Sequence, residues 1–318
     1  MSNENFDRVS DCLHSQEVLN VLNEKNFAIK DKIKGMIAGN IIGDMLGLPL
    51  EGKKGNISPY PPLNLKGDYI SKIGEIWSDD TSMLIALATS LFETGGNVNP
   101  ENERKHYLKW FLNGYYTPAG KSFGYGETTK QALLTGIAGN NRNTNGNGAL
   151  MRSCILTAYY LDKTDRALEE ASAASCAVTH GHPVSIFTNI IYNYILKQLI
   201  YGISLEDSMK MAQQKYSGVI NDINEIFEKP VFYTTTAYCV TTLQTAIFVN
   251  LESTNFYEAV VKSANLGGDA DTVAAVTGAI AGATYGFTEI YEPYRNAALK
   301  VISNFQALKI FFQEDLND

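Results

Sequence analysis

With 318 residues, 45% of them hydrophobic and 19% charged, the chain has an ordinary globular composition and length enough for one large domain or two small ones. A net charge of −8 and a pI near 5.1 argue against a nucleic-acid partner, because no basic surplus exists to release counterions. A phosphate-bearing ligand would need local neutralisation by a metal or by backbone amides. Cys12, Cys154, Cys176 and Cys239 show no CxxC spacing and read as the reduced thiols of a cytoplasmic protein. The opening MSNENFDRVSDCLH lacks the basic-then-apolar layout of a signal peptide. The longest apolar run, Val273 to Ala283, is broken by Thr and Gly and too short to span a bilayer, so no membrane partner is expected.

In chain order, residues 1–30 read as an N-terminal extension with one short helix, Gln16 to Asn23. Ile33, Met36, Ile37, Ile41 and Leu48 then mark an amphipathic helix. The Pro- and Gly-bearing segment Gly52 to Gly74 predicts a loop, and Leu84, Leu87, Ala88 and Leu91 mark a helix over 81–92. Further helices are predicted at about 101–113, 128–137, 148–161, 165–179, 183–201, 205–215, 237–250, 256–264, 271–285 and 294–312. Strand-like alternation is nearly absent, with Val231 to Thr235 a weak exception. Helices of similar character flank both long linkers, Gly52 to Gly74 and Gly136 to Gly148. The prediction is therefore one compact all-α domain over residues 31–318.

Two helices carry glycines where alanine is up to about 1 kcal/mol better. Gly35, Gly39, Gly43 and Gly47 recur at i, i+4, as do Gly278, Gly282 and Gly286. Such stripes let two backbones approach closely, so these helices are expected to form the tight centre of the core and to fix their own ends rigidly. Acidic clusters lie at those ends: Ser78-Asp79-Asp80-Thr81, and Gly267-Gly268-Asp269-Ala270-Asp271-Thr272. Either alone reads equally well as a helix cap. Together they offer five or six oxygen ligands with no clustered histidine or cysteine, which suits Mg²⁺ or Mn²⁺, and four carboxylates suit two ions better than one.

Five motifs in order resemble the ADP-ribosylglycohydrolase family: G-x-I-x-G-D-x-L-G-x-P-x-E (Gly39 to Glu51), W-S-D-D-T-x-M (Trp77 to Met83), N-G-A-L-M-R (Asn147 to Arg152), Thr179-His180, and G-G-D-x-D-T-x-A-A (Gly267 to Ala275). The resemblance spans roughly residues 31–300. It implies an orthogonal all-α fold with a binuclear Mg²⁺ or Mn²⁺ centre that hydrolyses the glycosidic bond between ADP-ribose and a modified protein group. The implied ligands are Ser78, Asp79, Asp80, Asp269, Asp271 and Thr272. Asp80 and Asp271 are candidates for orienting the attacking water, and Glu51 stands over the site at its entrance. Asp44, two helical turns before Glu51 and facing the same way, supports the binding site.

Asn145-Gly146-Asn147-Gly148 is expected to precede a helix beginning near Ala149, so its amides could cradle a pyrophosphate; an ordinary Asn/Gly turn is the alternative. The resemblance sets His180 against the adenosine half of the ligand, whereas alone it reads as a structural histidine. His180-Gly181-His182 lacks a third nitrogen or sulfur ligand for zinc. The loop Ser122 to Thr129, with Gly126 at the binding site, resembles a D-I-G-x-T-T segment of arginine-directed members, but Gly124 replaces its aspartate, and Glu127 is the available substitute. Arginine is the expected acceptor. Some family members are immunity proteins against ADP-ribosylating toxins, so two roles stay open. One is hydrolysis of the modification; the other is blockade of a cognate toxin by residues 1–30, whose acids are Glu4, Asp7, Asp11 and Glu17.

Overall fold

A computed structural model describes residues 4–53 and 76–316, with side chains from Asn26 onward. Its helices are α1 (Glu4–Gly47), α2 (Asp79–Glu93), α3 (Pro100–Asn113), α4 (Glu127–Thr135), α5 (Cys154–Tyr159), α6 (Asp165–Cys176) and α7 (Pro183–Ile200). They continue with α8 (Leu205–Tyr216), α9 (Cys239–Leu251), α10 (Phe256–Ala264), α11 (Ala270–Tyr285), α12 (Glu292–Ile302) and α13 (Gln306–Lys309). Among the described residues the β-structure is two isolated bridges, Gly139 with His180 and Gly146 with Tyr238, so the fold is all-α. None of their helices is long and apolar enough to cross a membrane.

Several boundaries differ from expectation, each for a local reason. The short helix at Gln16 to Asn23 is part of α1, because no Gly or Pro interrupts the chain between Gln16 and Gly35. The side chains of Glu4, Asp7, Asp11 and Glu17 lie outside the described residues, as does most of Gly52 to Gly74. Leu48 leaves the helix for a 3-10 turn, Leu48–Leu50, since the residue before Pro49 disfavours the α conformation. The predicted helix 148–161 shrinks to α5, because residues 145–147 pair elsewhere: Asn147 N–H donates to Ala237 O (2.9 Å) and Cys239 N–H to Asn145 O (3.1 Å). The predicted helix 294–312 divides after Ile302, where Ser303 Oγ and Asn304 Nδ2 both donate to the Lys300 carbonyl. Val231 to Thr235 is not a strand.

Helix α11 is buried on every side from Ala270 to Ala283 and packs against α1, α7, α9 and α10. Its closest partner is α1, in antiparallel register: Gly35 faces Gly282, Gly39 faces Gly278, Gly43 faces Ala274 and Gly47 faces Ala270. A Cβ on Gly39 would stand 2.7 Å from the Gly278 carbonyl carbon, far inside van der Waals contact. Hydrogens in place of side chains therefore set this helix pair. Gly286 sits just beyond the stripe, ending α11 with φ of 91°. The register brings the C-terminus of α1 beside the N-terminus of α11.

One buried carboxylate lies away from that end. Glu103 on α3 is fully buried; it accepts from Ser175 Oγ (2.8 Å) and Tyr107 OH (3.3 Å), and its Oε1 has no hydrogen-bond partner. Burial pushes its pKa from 4.5 up to about 7, opposed by those hydrogen bonds and by Arg152. The stabilising contribution of such a raised acid is fully present below pH 4.5 and is lost as pH rises through 7. Glu103→Gln is therefore expected to stabilise the protein at pH 8 by on the order of 2–3 kcal/mol, and hardly at pH 5. Urea melts at the two pH values measure this, and equal shifts at both would contradict it.

Candidate active site

Three helix ends converge where α1 stops. Asp44, fully buried on the last turns of α1, accepts from Ser78 N–H at both carboxylate oxygens (3.1 Å each) and from Thr81 N–H (3.0 Å). It thus caps α2 from a different helix. Ser78 is the N-cap proper, its Oγ accepting from Asp80 N–H (3.2 Å) and donating to Asp80 Oδ2 (3.1 Å). With capping assigned to Ser78 and Asp44, Asp79 and Asp80 in the first turn are not needed for it.

Across from them, Asp269 precedes α11 without accepting a side-chain capping bond, and Asp271 lies in its first turn. Thr272 N–H donates to Asp271 Oδ1 (2.9 Å), and Thr272 Oγ1 donates to Asp80 Oδ2 (3.3 Å), which joins the two clusters. Gly267 and Gly268 have left-handed φ values of 69° and 63°, and a Cβ on Gly268 would press on Thr235. Gly268 is also paired with the loop after α1: Gly52 N–H donates to Gly268 O (2.7 Å) and Gly268 N–H to Lys53 O (2.9 Å). That pairing sets Glu51, which is exposed, at the rim.

The carboxylate oxygens of Asp44, Asp80 and Asp271 lie within 4.8 Å of one another, all buried. Asp80 Oδ1 is buried with no hydrogen-bond partner. Burial first, and then the neighbouring acids, drives the pKa values up: Asp79 and Asp80 well above the usual carboxylate range, and Asp271 to about 9. Burial also raises Asp44, Asp269 and Glu51. So many acids crowded at two helix N-termini, with a buried oxygen unpaired, match a site where hard divalent cations would displace their protons.

Asp271 of this cluster opens on a cavity of about 490 Å³, lined also by Gly124, Gly126, Asn145, Gly146, Asn147, Gly148 and His180. The structure therefore gathers Glu51, Asp79, Asp269, Asp271, Thr272 and the loop residues into one chamber, with Ser78, Asp80 and Asp44 packed beneath. The expected helix N-terminus behind residues 145–148 is absent, because α5 begins only at Cys154 and the Asn147 amide is taken by Ala237. Asn147 acts through its side chain instead, with Nδ2 donating to Thr242 Oγ1 (3.0 Å) and to Asp269 Oδ2. Gly124, with φ of 85°, leaves no room for a side chain, since a Cβ there would collide with the Asp79 carboxylate. Glu127 is turned to its own helix, accepting from Gln131 Nε2 (2.6 Å) and Lys130 Nζ (3.3 Å). His182 caps α7, its Nδ1 accepting from Val184 N–H (3.3 Å). Tyr238 and Arg142 also line the cavity, and no local pattern marks either in the sequence.

The all-α fold thus carries a chamber walled by acids and hydroxyls, above a buried carboxylate triad spaced to hold a cation. The chain belongs to the ADP-ribosylglycohydrolase family, whose profile matches residues 26–314. It is 31% identical over 279 residues to an ADP-ribosylarginine hydrolase of Serratia proteamaculans, covering 83% of this chain and 74% of that protein. It is 28% identical over 268 residues to the ADP-ribosyl-(dinitrogen reductase) glycohydrolase of Rhodospirillum rubrum, covering 83% of this chain and 88% of that one. A solved ADP-ribosylglycohydrolase-related protein complex superposes with a TM-score of 0.69 at 26% identity, covering 86% of this chain and 97% of the other.

Proposed function

We propose that this protein removes ADP-ribose from modified arginine side chains of proteins, using two Mg²⁺ or Mn²⁺ ions. The observation that carries the reading is the buried convergence of Asp44, Asp80 and Asp271, with an unpaired carboxylate oxygen, beneath a cavity large enough for a nucleotide. Ser78, Asp79, Asp80, Asp269, Asp271 and Thr272 would hold the ions. When bound, these supply Lewis acidity at the ribose and neutralise the diphosphate in an otherwise acidic chamber.

The chain's own residues do the rest. Asp44 holds the start of α2, and with it Asp79 and Asp80, in register with α11. The Thr272 amide fixes one oxygen of Asp271, and that carboxylate with Asp80 would orient a water and take its proton. Asn147 fixes Asp269 from the loop side. Glu51, an acid of the cavity lining that does not belong to the buried cluster, would meet a leaving guanidinium, since position 124 bears no side chain. The arginine acceptor is favoured by the relative from Serratia proteamaculans. Incubation with mono-ADP-ribosylated arginine and serine peptides tests it: free ADP-ribose released from the arginine peptide is expected, and release from neither would overturn the reading.

Metal removal gives a second expected result with a definite sign in pH. Excess chelator should abolish release of ADP-ribose, and Mg²⁺ or Mn²⁺ should restore it. Without metal, Asp271 with a pKa of about 9 contributes stability that is fully present below 3.8 and lost as pH rises through 9. A cation displaces that proton, so metal-induced thermal stabilisation should grow from pH 6 to pH 9. Full turnover in chelator, or stabilisation that shrinks with pH, would remove the metal assignment.

A further inference from the structure

The sequence motifs contain two residues to which the site above gives no task, Arg152 and Thr179. Arg152 is 1% exposed, and its guanidinium lies over the Tyr107 ring at 4.4 Å. One nitrogen, Nη1, donates to Gly148 O (3.0 Å); the other, Nη2, donates to Thr179 Oγ1 (2.9 Å) and distantly to Ser175 O (3.5 Å). Thr179, fully buried, has its Oγ1 2.8 Å from His180 Nδ1. The His180 ring ends in the cavity wall, where its Nε2 faces the Cα hydrogens of Gly146 and Gly148; a Cβ on either would stand 3.3 Å and 3.7 Å from that atom. Arg152, Thr179 and His180 thus form one buried chain from the protein interior to the ligand chamber.

Hydrogen-bond roles along that chain are fixed from the buried end. A guanidinium only donates, so Thr179 Oγ1 accepts from Arg152. The Thr179 hydroxyl proton is left with one acceptor among the described residues, the Nδ1 of His180, and a buried hydroxyl proton left unpaired is disfavoured. If Nδ1 carried the proton instead, it and Arg152 would both donate to the same oxygen, and the hydroxyl proton would be stranded. We propose that Arg152 is a positioning residue that acts through Thr179 to hold His180 as the Nε2–H tautomer, so that the ring donates a hydrogen bond to an acceptor atom of a bound nucleotide. Burial, and secondarily the Arg152 charge, holds the His180 pKa down at about 3, which keeps the ring neutral. The ring is therefore a fixed donor beside Gly146 and Gly148 rather than an acid. Only the binding consequence rests on the proposed function; the tautomer does not.

Nitrogen-15 spectra of the full-length chain, labelled at histidine and recorded at neutral pH, test this, with His180→Gln supplying the assignment. The wild type should show an unprotonated Nδ1 and a protonated Nε2 at His180, and Thr179→Ser, which keeps the hydroxyl, should preserve that pattern. Thr179→Val should populate the Nδ1–H form and weaken ADP-ribose binding about tenfold, the loss of one well-placed hydrogen bond, with the His106 and His182 signals unmoved. A wild-type His180 found as Nδ1–H or as imidazolium overturns the proposal, as does a Thr179→Val spectrum identical to the wild type. The wild-type spectrum decides the tautomer even if Thr179→Val does not fold. A shifted tautomer with unchanged ADP-ribose affinity overturns the binding role. If the wild type binds no ADP-ribose at all, the tautomer result stands and the proposed function is what fails.

Discussion

Asp271→Ala and Asp79→Ala are each expected to lower ADP-ribose release on the order of 10³-fold or more while the protein stays folded. The size follows from losing several kcal/mol of cation-derived stabilisation at the reacting centre. The fold survives because Ser78 and Asp44 cap α2 without Asp79, and Asp271 holds a single first-turn amide of α11, that of Thr272. A lost cap would produce the opposite pattern, about 1 kcal/mol off stability with turnover nearly intact. Removing one of several crowded buried acids should even raise metal-free stability at pH 8, since Asp271 is held above its ordinary range by burial and its neighbours. Kinetics and chelator-treated melting curves on the same samples separate the two patterns. Near-normal turnover in either variant would place the chemistry elsewhere.

Gly278→Ala and Gly39→Ala should leave little folded protein. Both residues are helical, so on propensity alone alanine is favoured by about 1 kcal/mol. Each added Cβ would stand against the backbone of the facing helix, within 2.8 Å of a carbonyl carbon, and backbone has no rotamer by which to move away. Separating α1 from α11 would open the core along its whole centre, which exceeds the marginal stability of a domain. Gly126→Ala is the control, since nothing lies within 4 Å of its added Cβ. Circular dichroism and soluble yield measure the difference, and cooperative melting of Gly278→Ala near the wild-type temperature would refute the close-packing account.

Local spacing carried much of this molecule. The i, i+4 glycines of α1 and α11 announced a close helix contact because helical periodicity places them on one face, whatever the partner. The two acid and hydroxyl clusters pointed to the proposed cation site because their members are neighbours in sequence and so stay together at any helix start. Helix ends were less legible: residues 145–148 stand outside any helix because Ala237 and Cys239 pair with them from ninety residues away.

The sequence by itself determined the helical class, the glycine stripe and the acid clusters, since each is written in residues a few positions apart and needs only the geometry of a single helix. Tertiary structure alone decided what those pieces meet. It set Gly35 opposite Gly282, which brings the end of α1 to the start of α11, and it made Asp44 the cap of a helix that begins thirty-five residues later. It also joined Arg152 to His180 through Thr179. Such contacts join segments with no fixed separation along the chain, and their partners are chosen by how the helices pack, so no local periodicity records them.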